Sequence, residues 1–191
     1  MGEIEQHAAD QGIHHGSRQS GVKDRAGIRL GVVSDSHGHA EHVWPAVHML
    51  ESLEVDLVLH CGDVGGAAIV AMFKRWPTHF VYGNVDDPST LRAAIAETKQ
   101  TFHAAFGTLK LCGREIAFTH GDDSRALSRA IDSSQYALVC HGHTHVARNE
   151  RRGPTLVLNP GALYRANPHS MAVVDIPADQ NRPLVATIIR L

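Results

Sequence analysis

The chain has 191 residues, enough for one domain with a sizeable core and no covalent staples. Lys and Arg total 18 against 20 for Asp and Glu, a formal net charge of -2, which speaks against a broadly basic nucleic-acid-binding surface and leaves any acidic substrate to be attracted locally. Cys61, Cys112 and Cys140 form no CxxC pair, so neither a disulfide scaffold nor a thiolate zinc knuckle is expected, and the lack of a membrane-length apolar run or an apolar signal stretch leads us to expect a cytoplasmic protein.

Residues 1–27 are rich in Gly, His, Gln, Asp and Ser with no sustained period, and we expect a flexible extension ahead of a domain over 28–191. The pair His14-His15 within it is weak evidence of metal binding. From Ile28 the chain repeatedly runs from an apolar strand into a polar turn. Ile28 to Val33 reads as a strand ending at Ser34-Asp35-Ser36-His37-Gly38-His39, and Val43, Val47, Leu50 and Leu53 then recur at helical spacing, with Pro45 tolerated in the first turn. Leu57 to Cys61 is a second strand closed by Gly62-Asp63, followed by a helix within 66–74. Thr78 to Tyr82 is a third, ended by Gly83-Asn84-Val85-Asp86-Asp87-Pro88, with a short helix over Leu91 to Glu97. This alternation predicts a parallel sheet whose ligands collect at the carboxyl ends of the strands.

The pattern then changes. Thr101 to Phe106 and Thr108 to Leu111, separated by Gly107, read as a hairpin or a pair of short strands; Glu115 to Thr119 is another strand, and Asp123 to Asp132 a helix. Ala137 to Cys140 is a buried strand ending at His141-Gly142-His143-Thr144-His145. Val146 to Asn149, Leu156 to Leu158, Met171 to Asp175 and Leu184 to Ile189 are strand-like. The expected fold is α/β, two mixed sheets packed face to face with helices outside and the strand order left open.

The repeated feature is chemical: an apolar strand, then Asp, Asn or His at its tip. Collecting these gives Asp35, His37, Asp63, Asn84, His120, His143 and His145. Taken singly each has a plainer explanation, such as a helix cap for Asp35 or turn formers for Asp63, Asn84 and Asp86. Together, carboxylate and amide oxygens with imidazoles suit Mn²⁺, Fe²⁺ or Zn²⁺, and seven donors exceed what one ion accepts.

Five ordered segments carry a resemblance: Asp35-Ser36-His37, Gly62-Asp63, Gly83-Asn84-Val85-Asp86, Thr119-His120-Gly121 and Gly142-His143-Thr144-His145. They look like the signature of the calcineurin-like metallophosphoesterases, and the compact size resembles the small bacterial and archaeal phosphodiesterase branch, to which the retromer subunit Vps29 is similar in fold. The resemblance implies a four-layer α/β/β/α sandwich. It also implies that Asp35, His37 and His145 hold one divalent ion, that Asn84, His120 and His143 hold another, and that Asp63 bridges them. Mn²⁺ is the leading choice, with Fe²⁺, Zn²⁺ or Ni²⁺ as alternatives, and the expected reaction is hydrolysis of a small organic or nucleotide-like phosphodiester by hydroxide held between the ions. Asp63, Asn84, Asp86 and His120 are the expected catalytic residues, Asp86 by orienting a water, Asn84 or an imidazole.

Two features depart from the family. Asn159-Pro160-Gly161-Ala162 resembles its late Asn-Pro-Gly-Ser turn with Ala162 in place of Ser, and Val85 stands where larger phosphomonoesterases have a proton-donating histidine. His39, His60 or His141 is a substitute donor to test. Arg125, Arg148, Arg151, Arg152 and Arg165 are candidate phosphate contacts, each more simply a solvated arginine. A broad phosphomonoesterase and a non-catalytic Vps29-like protein-binding scaffold remain alternatives, and an exposed edge strand or apolar patch can support a homo-oligomer.

Overall fold

The computed structural model describes residues 26–191; the expected extension up to residue 25, including His14-His15, lies outside the described residues. The elements run β1 (Gly27–Val33), α1 (Ala40–Ser52), β2 (Leu57–Cys61), α2 (Ala67–Met72), β3 (Thr78–Val81), α3 (Pro88–Glu97), β4 (Thr101–Phe102), β5 (Phe106–Leu111), β6 (Arg114–Thr119), α4 (Ser124–Asp132), β7 (Leu138–Cys140), β8 (Arg148–Arg152), β9 (Thr155–Asn159), β10 (Ser170–Pro177) and β11 (Val185–Arg190). Two mixed sheets result, in the orders β11-β10-β1-β2-β3-β4 and β5-β6-β7-β9-β8. β1 to β4 are parallel, as are β6, β7 and β9, so their carboxyl ends share one rim in each sheet.

Alternation along each strand sorts side chains into layers. Leu30, Val32, Leu57, Leu59 and Val81 meet Ile116, Phe118, Leu138, Leu156 and Leu158 between the sheets. Val33, Val58 and Phe80 turn the other way, onto Val43, Val47 and Leu50 of α1, Ile69 and Val70 of α2 and Leu91 and Ile95 of α3. A smaller cluster of Ala117 and Val139 with Ala130, Leu127 and Ile131 seats α4 on the second sheet. Three helices, two sheets and one helix make the expected four layers. Each fully buried side chain of this kind contributes about 1.5–3 kcal/mol relative to exposure.

Three local expectations need correction. Thr101–Phe102 is a parallel edge strand of the first sheet, whereas Phe106–Leu111 belongs to the second, so they form no hairpin. Gly107 lies inside β5 because the Phe118 ring covers it: a Cβ there would sit 2.2 Å from Phe118 Cζ. The hairpin joins β5 to β6 through Cys112 and Gly113, both at positive φ (48° and 75°), which matches the right-handed strand twist. Pro45 falls in the second turn of α1, because the helix begins at Ala40. The strand expected at Val146 to Asn149 instead runs from Arg148 to Arg152 and is a mostly exposed, charged edge.

Candidate metal centre

Five loops at the sheet rims bring the seven strand-tip residues together. Among the described residues eleven non-glycine positions have positive φ, and five of them are Asp35 (58°), His37 (49°), Asp63 (51°), His143 (67°) and His145 (58°). Left-handed backbone is unfavourable for residues with a Cβ and persists where the surroundings impose it. Here it turns each side chain sharply off its strand axis and into a common space.

Two adjoining donor sets result. One ligand atom each from Asp35, His37 and His145 lie within 4.8 Å of one another, as do those of Asp35, Asp63 and His120. Asp63 Oδ2 stands between the halves, 3.6 Å from His37 Nε2 and 3.3 Å from His120 Nε2. Asn84 Oδ1 lies 3.1 Å from His120 Nε2 and 3.0 Å from His143 Nδ1, which joins those three donors into one convergent group.

The imidazoles are oriented from behind. His120 Nδ1 donates to the Cys61 carbonyl (2.9 Å) and His145 Nδ1 to the Arg165 carbonyl (3.2 Å), so in both rings Nε2 is the atom turned inward. Asp63 Oδ1 accepts the Val85 N–H (3.1 Å), and Asp35 Oδ2 accepts the His143 N–H (3.2 Å). Small residues permit these approaches: a Cβ on Gly83 would meet Asp63 Oδ1 at 2.0 Å, and one on Gly142 would meet Ser34 Oγ at 1.9 Å.

The two buried carboxylates sit in different surroundings. Asp35 is fully buried, and its Oδ1 has no hydrogen-bond partner although His145 Nε2 is 3.2 Å away. Burial raises the Asp35 carboxyl above its ordinary pKa, outweighing the Ser34 hydrogen bond and the nearby His120 and His145. Burial acts the same way on Asp63, but the His120 hydrogen bond and charge and the Val85 N–H outweigh it, and its pKa falls. Burial lowers His37, whose Nε2 faces His145 Nε2 at 3.4 Å. In His120 burial is overcome by Asp63 and the Cys61 carbonyl, and the pKa rises. An unbonded buried carboxylate oxygen facing inward imidazole nitrogens, with a second oxygen and nitrogen cluster beside it, fits divalent cations well.

The calcineurin-like phosphoesterase superfamily domain matches residues 28–179. The chain belongs to that superfamily. It is 26% identical to a phosphodiesterase of Methanocaldococcus jannaschii over 164 residues, 83% of this chain and 99% of the relative. In fold it is similar to a solved archaeal phosphodiesterase (TM-score 0.74, 24% identity, 85% of this chain and 100% of the other). It is likewise similar to Vps29 of Entamoeba histolytica (TM-score 0.62, 17% identity, 86% and 99%).

Around the candidate metal centre of this phosphoesterase the remaining expected residues separate. Asp86 accepts the backbone N–H groups of Val64 (3.0 Å), Gly65 (2.9 Å) and Gly83 (2.9 Å), so its carboxylate ties the Asp63 loop to the Asn84 loop and, among the described residues, is hydrogen-bonded to neither an imidazole nor the Asn84 side chain. Asn159 donates to the Gly142 carbonyl (2.8 Å) and Thr144 Oγ1 (3.0 Å), bracing the loop that carries His143 and His145; this is the work of the late Asn-Pro-Gly turn. Ala162 is buried. Val85 contributes its N–H, and its side chain is 57% exposed beside Asn84.

Of the three histidines weighed as proton donors, two are enclosed. His60 is fully buried among the helix-side aromatics, 2.8 Å from Ser36 Oγ, and burial drives its pKa to about 3. His141 is buried against the Gly142 carbonyl. His39 is half-buried and stacked on Tyr164, with Nδ1 3.0 Å from Glu41 Oε1. Among the five arginines, Arg148 and Arg152 pair with Glu150 on the edge strand, whereas Arg165 stands beside the centre with its guanidinium over the Tyr164 ring. The three thiols are free; burial pushes those of Cys61 and Cys140 far up, and no cysteine belongs to the clustered donor groups among the described residues. By residue type nothing in the sequence marks out Tyr164 or the Cys61 and Arg165 carbonyls. Backbone groups have no residue-type signature, and Tyr164 is marked only by its place after the Asn159-Pro160-Gly161 turn.

Proposed function

We propose that this phosphoric ester hydrolase is a dinuclear phosphodiesterase acting on a small organic or nucleotide-like diester. The observation that carries it is the pair of adjoining donor sets sharing buried carboxylates, with Asp35 Oδ1 left unbonded. Asp35, His37 and His145 would hold one ion, Asn84, His120 and His143 the other, and Asp63 both; Mn²⁺ suits this mixture of oxygen and imidazole donors, and Fe²⁺, Zn²⁺ or Ni²⁺ are tolerable substitutes. When bound, the ions supply Lewis acidity and an activated water for in-line displacement at phosphorus.

The protein's own residues set geometry and exclude alternatives. The Cys61 and Arg165 carbonyls fix the imidazole faces, the Val85 and His143 N–H groups fix the carboxylates, and Asp86 locks two loops together. Val85 offers no proton to a leaving oxygen, which favours diesters with a competent leaving group over monoester alcohols. The identity with an archaeal phosphodiesterase over nearly its whole length supports the same choice. The alternative of a Vps29-like scaffold would not need these donors to converge, and the convergence of all seven candidates supports the enzyme reading. A cytoplasmic setting suits the three free thiols.

The test is a kinetic panel of bis(p-nitrophenyl) phosphate and p-nitrophenyl phosphate on protein of measured Mn, Fe, Zn and Ni content. We expect metal-dependent turnover with the diester preferred. A strong monoester preference overturns the diester assignment, and turnover unaffected by metal removal overturns the two-metal reading.

A further inference from the structure

Among the described residues two buried side-chain atoms have no hydrogen-bond partner: Asp35 Oδ1, which belongs to the candidate metal centre, and His60 Nδ1, which does not. His60 is fully buried on β2, its ring stacked on Phe80 (centroids 5.6 Å, interplanar angle 21°) and edge-on to Phe73 (5.7 Å, 83°). An imidazole with a bare nitrogen is a costly occupant of a core position that an apolar side chain would fill without loss.

The other ring nitrogen shows what offsets that cost. His60 Nε2 lies 2.8 Å from Ser36 Oγ, and Ser36 Oγ lies 2.9 Å from the Val64 carbonyl. Ser36 is itself fully buried and stands between Asp35 and His37, while Val64 directly follows Asp63. A carbonyl only accepts and a hydroxyl carries one proton, so the Ser36 proton goes to Val64 and the remaining contact requires His60 Nε2 to donate. That assignment leaves Nδ1 as an unprotonated acceptor. The two loops joined in this way already run side by side, with Asp35 N–H on the Gly62 carbonyl (3.1 Å), His37 N–H on the Asp63 carbonyl (2.9 Å) and Gly38 N–H on the Val64 carbonyl (3.1 Å). Asp86 holds the Val64 N–H from the far side.

We infer that His60 is a positioning residue for the metal centre: as the Nε2–H tautomer it donates to Ser36, commits the Ser36 proton to Val64, and so fixes the loop bearing Asp35 and His37 against the loop bearing Asp63. The effect on metal rests on the two-metal reading; the tautomer does not. The aromatic stack keeps the ring from turning, and burial keeps it neutral, so the donated proton is permanent and the hydroxyl has one orientation. Supports of this kind, one shell behind the ligands, tune metal affinity without touching the ion.

Two measurements on the Zn²⁺-loaded full chain test this, zinc being a diamagnetic member of the suitable set. In ¹H–¹⁵N correlation spectra of protein labelled at the histidine rings, the His60 signals, identified by their loss in His60→Gln, should show a protonated Nε2 and a bare Nδ1. Zn²⁺ affinity in competition with a chromogenic chelator should weaken about tenfold in Ser36→Ala and in His60→Leu, and by little more in the double variant, because each change breaks the same chain. His60→Gln, whose amide can donate from the place of Nε2, should recover most of the loss. A proton on Nδ1, affinity unchanged in Ser36→Ala and His60→Leu, losses that multiply to about 100-fold in the double variant, or no recovery in His60→Gln would each overturn the role of His60. Failure of the wild type to bind Zn²⁺ or Mn²⁺ would sink the two-metal reading, and the positioning role with it, whatever the tautomer.

Discussion

The rim of the first sheet and the rim of the second supply different chemistry to one centre. Loops after β1, β2 and β3 bring the oxygen donors Asp35, Asp63 and Asn84 with the single imidazole of His37, whereas those after β6 and β7 bring only imidazoles, His120, His143 and His145. Their supports cross between sheets. The Cys61 carbonyl at the end of β2 orients His120, and the His143 N–H orients Asp35. Neither candidate group is complete on one rim, so on the two-metal reading metal affinity and the packing of the two sheets would be coupled quantities.

The largest effect that would break this view is on stability. With metal at about 1,000 times its Kd, binding to the folded state adds about 4 kcal/mol, and chelation should lower Tm by roughly 10 °C in calorimetry. An unchanged Tm would mean that the rims hold together without the ions. Next, Asp63→Asn keeps the shape but removes the charge between the two halves, and should cut diester turnover by more than about 100-fold, beyond what loss of a supporting group costs. Turnover within a few-fold of wild type would deny Asp63 its bridging place.

Asp86→Ala sharpens the comparison from within the first rim. It leaves the N–H groups of Val64, Gly65 and Gly83 without their acceptor, and metal affinity measured against a chromogenic chelator should weaken by about 10–100-fold. The smallest expected effect lies behind the rim, at His60, which shares β2 with the approach to Asp63 but faces the helices. Its folded pKa of about 3 lies below the ordinary 6.5, so between those values the unfolded chain binds a proton that the folded chain refuses. Stability therefore falls as pH drops through this window, by about 1.4 kcal/mol per unit from this group, and is untouched by it above pH 6.5 or so. Urea titrations across this range should show a shallower acid limb for His60→Gln, and equal slopes would mean that His60 is protonated in the folded protein.

The convergence of the candidate donors was legible because each follows an apolar strand by one to a few residues, and parallel strands deliver their carboxyl ends to one edge. Asp35 after Val33, Asp63 after Cys61 and His120 after Thr119 obey that rule without reference to anything distant. Asp86 was legible as a supporting residue but not in its partners, since three backbone N–H groups on two loops leave no trace in residue type. Gly107 misled for a related reason. A glycine between apolar runs reads as a turn, and only the Phe118 ring lying across it reveals a strand position where a side chain has no room.

By itself the sequence determined the alternation of strands and helices and the chemical types at the strand tips, because hydrophobic period and side-chain chemistry are local properties. Tertiary structure alone decided which strands share a sheet, which carbonyls and N–H groups aim the candidate ligands, and that Tyr164, His39 and Arg165 meet beside them. Those outcomes depend on the packing of two sheets whose contacting residues lie far apart in the chain, where backbone geometry and close approach, rather than residue identity, select the partners.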